Sequence, residues 1–180
     1  MAVLPILGTS IEGVSRGGYV LEDIKGEGNG GDWYPTLTLL SSGTELALTL
    51  QAAQKMYEEL QVVVGKRAWV RVVSMPCPQL FDTQSLSYKH SVLPGQTPIM
   101  SVEAAGVSSW YKYAHSPFGI TTFGLSAPAP EIYKHMGFTV DNLAAHGMGL
   151  VRYFMKEGGY PVAPSLLDFP SFTTPPMHFH

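Results

Sequence analysis

A chain of 180 residues with 45% hydrophobic and 14% charged side chains can bury a real core, which predicts one folded domain rather than a disordered chain. Its 11 basic and 14 acidic residues give a formal charge of −3, which supplies neither a phosphate-neutralising nucleic-acid surface nor a polybasic membrane patch. One cysteine forms no internal disulfide, and no signal-peptide pattern or apolar run of membrane-spanning length is present, so a cytoplasmic setting is expected.

Residues 1 to 18 hold scattered glycines, and Tyr19 to Asp23 then offers a short strand before the loop IKGEGNGGDWYP. Thr36 to Leu40 is β-rich. Ser42 and Glu45 stand in the S-x-x-E spacing of a capping box, which predicts a helix at once. Leu46, Leu50, Ala53, Tyr57 and Leu60 share one face of that helix. Ala68 to Met75 is the next strand, apolar except for Arg71 and so suited to a parallel position covered on both faces. Pro76 and Pro78 stop the ladder, and Phe81 to His90 reads as one short helix. Thr97 to Ala104 predicts a strand, Ser108 to Ala114 a helical turn, Gly119 to Phe123 a fifth strand, and Pro130 to Met136 a short helix. Thr139 can cap the last helix, with Asp141 in its first turn and Leu143, Gly147, Leu150 and Phe154 on one face.

Alternating strands and helices predict a three-layer α/β/α domain with a mostly parallel five-stranded sheet over residues 1–155. From 156 to 180 the pattern gives way to GGYPVAPSLLDFPSFTTPPMHFH, which carries five prolines and several large apolar residues. An extended tail lying on this domain or on a partner is expected there.

Each candidate for chemistry has an ordinary structural reading. Cys77 lies between two prolines at a strand end; a reactive thiolate needs a helix N-terminus or a basic neighbour, and only a fold that brought Lys66 or Arg71 close would supply one. The preferred reading is a small apolar residue. His90, His115, His135, His146, His178 and His180 include no H-E-x-x-H and no i, i+4 pair, so no metal site is expected. Gly124-Leu125-Ser126-Ala127-Pro128 begins like a nucleophile elbow, but Pro128 replaces the second glycine, and Pro128 and Pro130 forbid the immediate helix.

Ser41-Ser42-Gly43-Thr44 joins a strand end to a helix start, a geometry that attracts anions, yet it has neither a G-x-G-x-x-G pattern nor a P-loop lysine. Glu103 near a strand end reads as a paired structural acid. Trp110, Tyr111 and Tyr113 form an aromatic cluster for core packing or an interface. No catalytic constellation emerges from spacing alone.

Six ordered blocks carry a resemblance: GGYVLED from Gly17, SSGTELALTLQAA from Ser41, VRVVSMPCPQLFDTQ from Val70, YKHSVLP from Tyr88, SVEAAGVSSWYKY from Ser101 and TTFGLSAPAPEIYKHMGFTVDNL from Thr121. Together they resemble the C-terminal domain of the transketolase family, over roughly Leu4 to Phe154. The resemblance implies a parent enzyme that uses thiamine diphosphate and magnesium to move a two-carbon ketol unit between sugar phosphates. It implies a homodimer whose cofactor lies between upstream domains, this domain standing away from the chemistry in a structural or regulatory role.

The family's diphosphate signature, Gly-Asp-Gly with a later Asn, is missing, since Gly30-Gly31-Asp32 has the wrong order. The Arg-Gln-Asn that usually precedes a Leu-Pro such as Leu4-Pro5 is replaced by Met1, Ala2 and Val3. No catalytic, cofactor-binding or metal-binding residue is therefore carried onto this chain, and Cys77 looks like an incidental occupant of a variable position. Two alternatives stay open: the related dihydroxyacetone synthases, which are peroxisomal, and a free-standing interaction module of the same fold. The closing His178, Phe179 and His180 are not a Ser-Lys-Leu address.

Overall fold

The computed structural model describes residues 9–26 and 34–157. The Leu4-Pro5 pair, Gly30-Gly31-Asp32, and the tail from 158 with His178 and His180 lie outside the described residues.

Five strands, β1 (Tyr19–Lys25), β2 (Leu37–Ser41), β3 (Trp69–Ser74), β4 (Ile99–Gly106) and β5 (Ser116–Ile120), form one sheet in the order β1-β3-β2-β4-β5. The pairs β3/β2, β2/β4 and β4/β5 are parallel, and β1 pairs antiparallel with β3 at one edge. All five residues of β2 are buried, as a central parallel strand with both faces covered requires. The sheet is thus mostly parallel, as the alternating sequence pattern predicts.

Two apolar layers flank it. On one face α2 (Glu45–Val64) and α6 (Val140–Glu157) lie against Leu37, Leu39, Val70, Val72, Met100 and Val102. On the other, α3 (Pro78–Asp82), α4 (Leu86–Val92) and a 3-10 turn (Val107–Lys112) cover Leu40, Val73, Met75 and Ile99 around Phe81 and Trp110. A short α1 (Ile11–Ser15) precedes β1, and α5 (Ala129–His135) precedes α6.

Several boundaries differ from expectation, each for a local reason. The segment from Phe81 to His90 is two helices, because the Ser85 side chain accepts from Tyr88 N and starts a new one. The fifth strand starts at Ser116, three residues early. Pro117 is tolerated because β5 is an edge strand, and a Cβ on Gly119 would stand 2.7 Å from the Ala105 carbonyl, so the chain passes close there. In the glycine-bearing stretch before β1, where the sequence pattern names no element, α1 forms with Ser10 as its cap.

The capping box does not form. The helix starts with Thr44 at the cap position and Glu45 in the first turn's first place, so the Ser42 and Glu45 pair falls two residues out of register with a box. By contrast the Thr139 hydroxyl accepts from Asn142 N at 3.3 Å, and Asp141 in the first turn of α6 pairs with Lys55 Nζ at 2.6 Å.

Candidate functional site

Strand β2 continues through α2 into β3 on one side of it, and the chain then crosses back to place β4 on the other. The sheet therefore changes winding direction between β2 and β4. At such a switch point the connections leave the strand ends in opposite directions and open a crevice beyond them. Four polar side chains meet there: Ser42 just after β2, Glu45 at the start of α2, Glu103 on β4 and Tyr133 on α5.

Ser42 Oγ donates to Glu103 Oε2 at 2.7 Å, and Thr44 Oγ1 donates to Glu45 Oε1 at 3.1 Å. The Tyr133 hydroxyl donates to the same oxygen of Glu45. Burial pushes the Glu103 carboxyl above its ordinary range and the charge of Glu45 adds to this, while the Ser42 hydrogen bond opposes it. The Tyr133 phenol is raised by burial and by its hydrogen bond to Glu45. An open cavity of about 340 Å³ beside Thr44, Ala129, Pro130 and Tyr133 adjoins the cluster.

The chemistry of this crevice runs against an anion. The positive end of α2 already faces the Glu45 carboxylate, and a bound phosphate would meet Glu45 and Glu103 together. The diphosphate of thiamine diphosphate, a cofactor that the resemblance implies for a parent enzyme, would meet the same two carboxylates. What the arrangement does is tie four elements in two pairs: β2 to β4 through Ser42 and Glu103, and α2 to α5 through Glu45 and Tyr133.

A second cleft of about 440 Å³ lies between α3 and the 3-10 turn, with Gln79, Asp82, Trp110, Lys112 and Tyr113 in its walls. Asp82 Oδ2 accepts from Lys112 Nζ at 2.6 Å and from the Tyr113 hydroxyl at 2.8 Å. Burial, then the hydrogen bond to Asp82, places the Tyr113 phenol far above its usual value. Trp110 and Tyr113 pack edge to face within the core, whereas Tyr111 is exposed. The aromatic cluster thus divides between core and surface.

The remaining candidates stay apart. Cys77 is half-buried, its Sγ 3.8 Å from Gln79 Oε1, while Arg71 forms a two-point ion pair with Asp23 at 2.8 and 3.0 Å and a third bond to Ser91 O. Arg71 is thereby committed elsewhere. Ser126 stands on an exposed loop, and the next helix, α5, starts at Ala129 rather than directly behind it as an elbow needs. His115 Nδ1 accepts from Ile99 N at 2.9 Å and its ring packs on Phe154; His146 contacts Ser116 Oγ at 3.0 Å; His90 and His135 are exposed. Among the described residues no three His, Cys, Asp or Glu gather as a metal site. Sequence reasoning missed Tyr133 and Glu45 as partners, because they lie 88 residues apart and only the tertiary fold joins them.

Comparison with known proteins gives a consistent result. Residues 17–139 match the family model described as the transketolase-like C-terminal domain. The chain is 40% identical over 150 residues to transketolase 1 of Saccharomyces cerevisiae, covering 83% of this chain and 20% of that protein. It is 40% identical over 144 residues to the chloroplastic transketolase of Solanum tuberosum, covering 78% and 18%. The solved transketolase from Leishmania mexicana superposes with a TM-score of 0.75 at 37% identity, covering 89% of this chain and 22% of that one. The chain spans about a fifth of the length of the curated relatives it matches.

Proposed function

Since the chain belongs to the transketolase family and matches it over the C-terminal domain, we propose that it is the non-catalytic third domain of a ketol-transferring enzyme. In this reading a thiamine-diphosphate- and magnesium-dependent parent moves a two-carbon unit between sugar phosphates, and its chemistry resides in upstream domains of a homodimer. This domain serves a structural or regulatory part. The observation that carries the reading is the family match over residues 17–139, in a chain whose match spans about one fifth of its relatives' length.

Cytoplasmic residence goes with this reading, although one relative is named as chloroplastic. Among the described residues no helix is long and apolar enough to cross a membrane.

Calorimetric titration of the purified chain with thiamine diphosphate and magnesium, beside a ketol-transfer assay on xylulose 5-phosphate and ribose 5-phosphate, tests it. No heat and no turnover are expected. Saturable binding with turnover would place a complete site in this chain and end the reading.

A further inference from the structure

On the face of the sheet away from α2 and α6, β3 leads into α3 and β4 into the 3-10 turn. Both elements therefore leave the carboxyl ends of parallel strands on the same side. In an open α/β sheet, ligands bind beyond those ends. The cleft of about 440 Å³ between the two elements is of small-molecule size.

Its walls combine aromatic and polar groups. Trp110 and Tyr113 supply the aromatic surface, and Tyr113 is fixed by edge contacts with Trp110 and Phe81. Asp82 is held from two directions, because Lys112 Nζ and the Tyr113 hydroxyl both donate to its Oδ2. Burial first, and then that bond, hold the Tyr113 phenol far above its usual value, so it stays a donor at any ordinary pH. The carboxylate is thus oriented in advance with one oxygen left over. Among the described residues no hydrogen bond reaches Asp82 Oδ1, Gln79 Nε2 or the hydroxyls of Ser108 and Ser109.

The charges of this set select the ligand. Asp82 and Lys112 cancel, so an anion would meet the carboxylate and a cation the ammonium, neither with a net partner. An apolar molecule would strand Asp82 Oδ1 and the remaining protons of Lys112 without hydrogen bonds. Hydroxyl groups both donate and accept, so a polyol can donate to Oδ1, accept from Gln79 and Lys112, and exchange bonds with the two serines. Its carbon skeleton can lie against the aromatic wall.

We infer that the cleft between α3 and the 3-10 turn binds a small, free, neutral polyol of sugar size, held by Asp82, Gln79, Ser108 and Ser109 against Trp110 and Tyr113. This assignment does not rest on the proposed function, whose phosphorylated sugars carry the charge that the cleft disfavours.

The test is an amide NMR titration of the full chain with glycerol, D-ribose and D-glucose, followed at the Gln79 side-chain amide, the Ser108 and Ser109 backbone amides and the Trp110 indole. Saturable shifts confined to these groups are expected for at least one of the three, with a dissociation constant on the order of 1 mM for so small a ligand. Shifts that stay linear to about 100 mM with all three, a hundredfold beyond that constant, or that spread over the whole domain, would overturn the site. Tighter binding of ribose 5-phosphate than of ribose would overturn the ligand class. In Asp82→Asn the Lys112 charge is no longer cancelled, so ribose 5-phosphate should overtake ribose, and an unchanged order removes Asp82 from the site. Should that variant not fold, Ser109→Tyr replaces it, adding bulk from an exposed position in the cleft wall. Polyol affinity should then fall by about tenfold or more, and an unchanged affinity overturns the assignment.

Discussion

Ser42 and Glu103 join the ends of two neighbouring parallel strands, hydroxyl to carboxylate at 2.7 Å, across 61 residues of chain. The bond sits where the strand ends part, so it closes with a side chain what the backbone ladder no longer closes. Glu103 holds this place with its carboxyl raised, by burial first and by the charge of Glu45 as well.

The sign of the pH effect follows. A carboxyl whose folded pKa lies above its unfolded value binds its proton more tightly when folded, so its contribution is present below the unfolded pKa and is lost as pH rises through the folded one. Glu103→Gln retains an acceptor for Ser42 without the charge. The variant should therefore gain stability relative to the parent as pH climbs from about 4.5 toward neutrality, with little difference in acid. Melting temperatures of both proteins between pH 4 and pH 7.5, the range about that pKa, check this; a constant or shrinking difference would contradict it.

Arg71 and Asp23 make the antiparallel edge specific. Their side chains are only 11% and 24% exposed, and Trp69 Nε1 donates to the same Asp23 oxygen at 2.9 Å. Removing one partner leaves a largely buried charge, so Arg71→Ala should cost about 3 kcal/mol. A neutral pair, Asp23→Asn with Arg71→Met, should recover part of that loss. Urea unfolding of Asp23→Asn, Arg71→Met and their double forms the cycle, and an additive double variant would show that the pair does not couple.

Gly17 lies where α1 hands over to β1, at φ 83°, and a Cβ there would collide with Cys77 O and Phe81 N. Both obstacles are backbone, which side-chain rotation cannot relieve. Gly17→Ala should lose about 2–3 kcal/mol from the left-handed conformation and the collision together. A loss below about 0.5 kcal/mol in denaturant unfolding, the scale of an ordinary surface change, would mean that the α3 backbone moves aside freely.

What the sequence made legible was whatever local pattern controls. The apolar run of β3, Thr139 as a cap and Asp141 in the first turn of α6 all stand as the pattern predicts. The face of α2 was legible less well. Leu46, Ala53 and Leu60 are buried, but Leu50 and Tyr57 are only half so, and Thr49, Ala52 and Met56 take the deeper places because α6 packs against that side. The capping box failed because Ser42 is drawn to Glu103, a partner that no local window contains. The same limit hid Tyr133 from Glu45 and Asp23 from Arg71: each pair belongs to different elements, and only the strand order brings them together.

Cys77 supplies the last prediction. Its amide donates to Gly17 O at 3.0 Å and its carbonyl accepts from Phe81 N at 3.1 Å, so the backbone of this residue holds the strand-to-helix passage while its thiol does not. The sulfur's contact is Gln79 Oε1 at 3.8 Å, long for any strong bond. Serine preserves the backbone bonds and differs by one atom, so Cys77→Ser should change stability by less than about 0.5 kcal/mol. In a full-length parent enzyme turnover should stay close to the unsubstituted value. Denaturant unfolding and a ketol-transfer assay measure the two effects separately. A hundredfold loss of turnover with an intact fold would make the thiol a participant in the chemistry, and the placement of that chemistry in other domains would have to be given up.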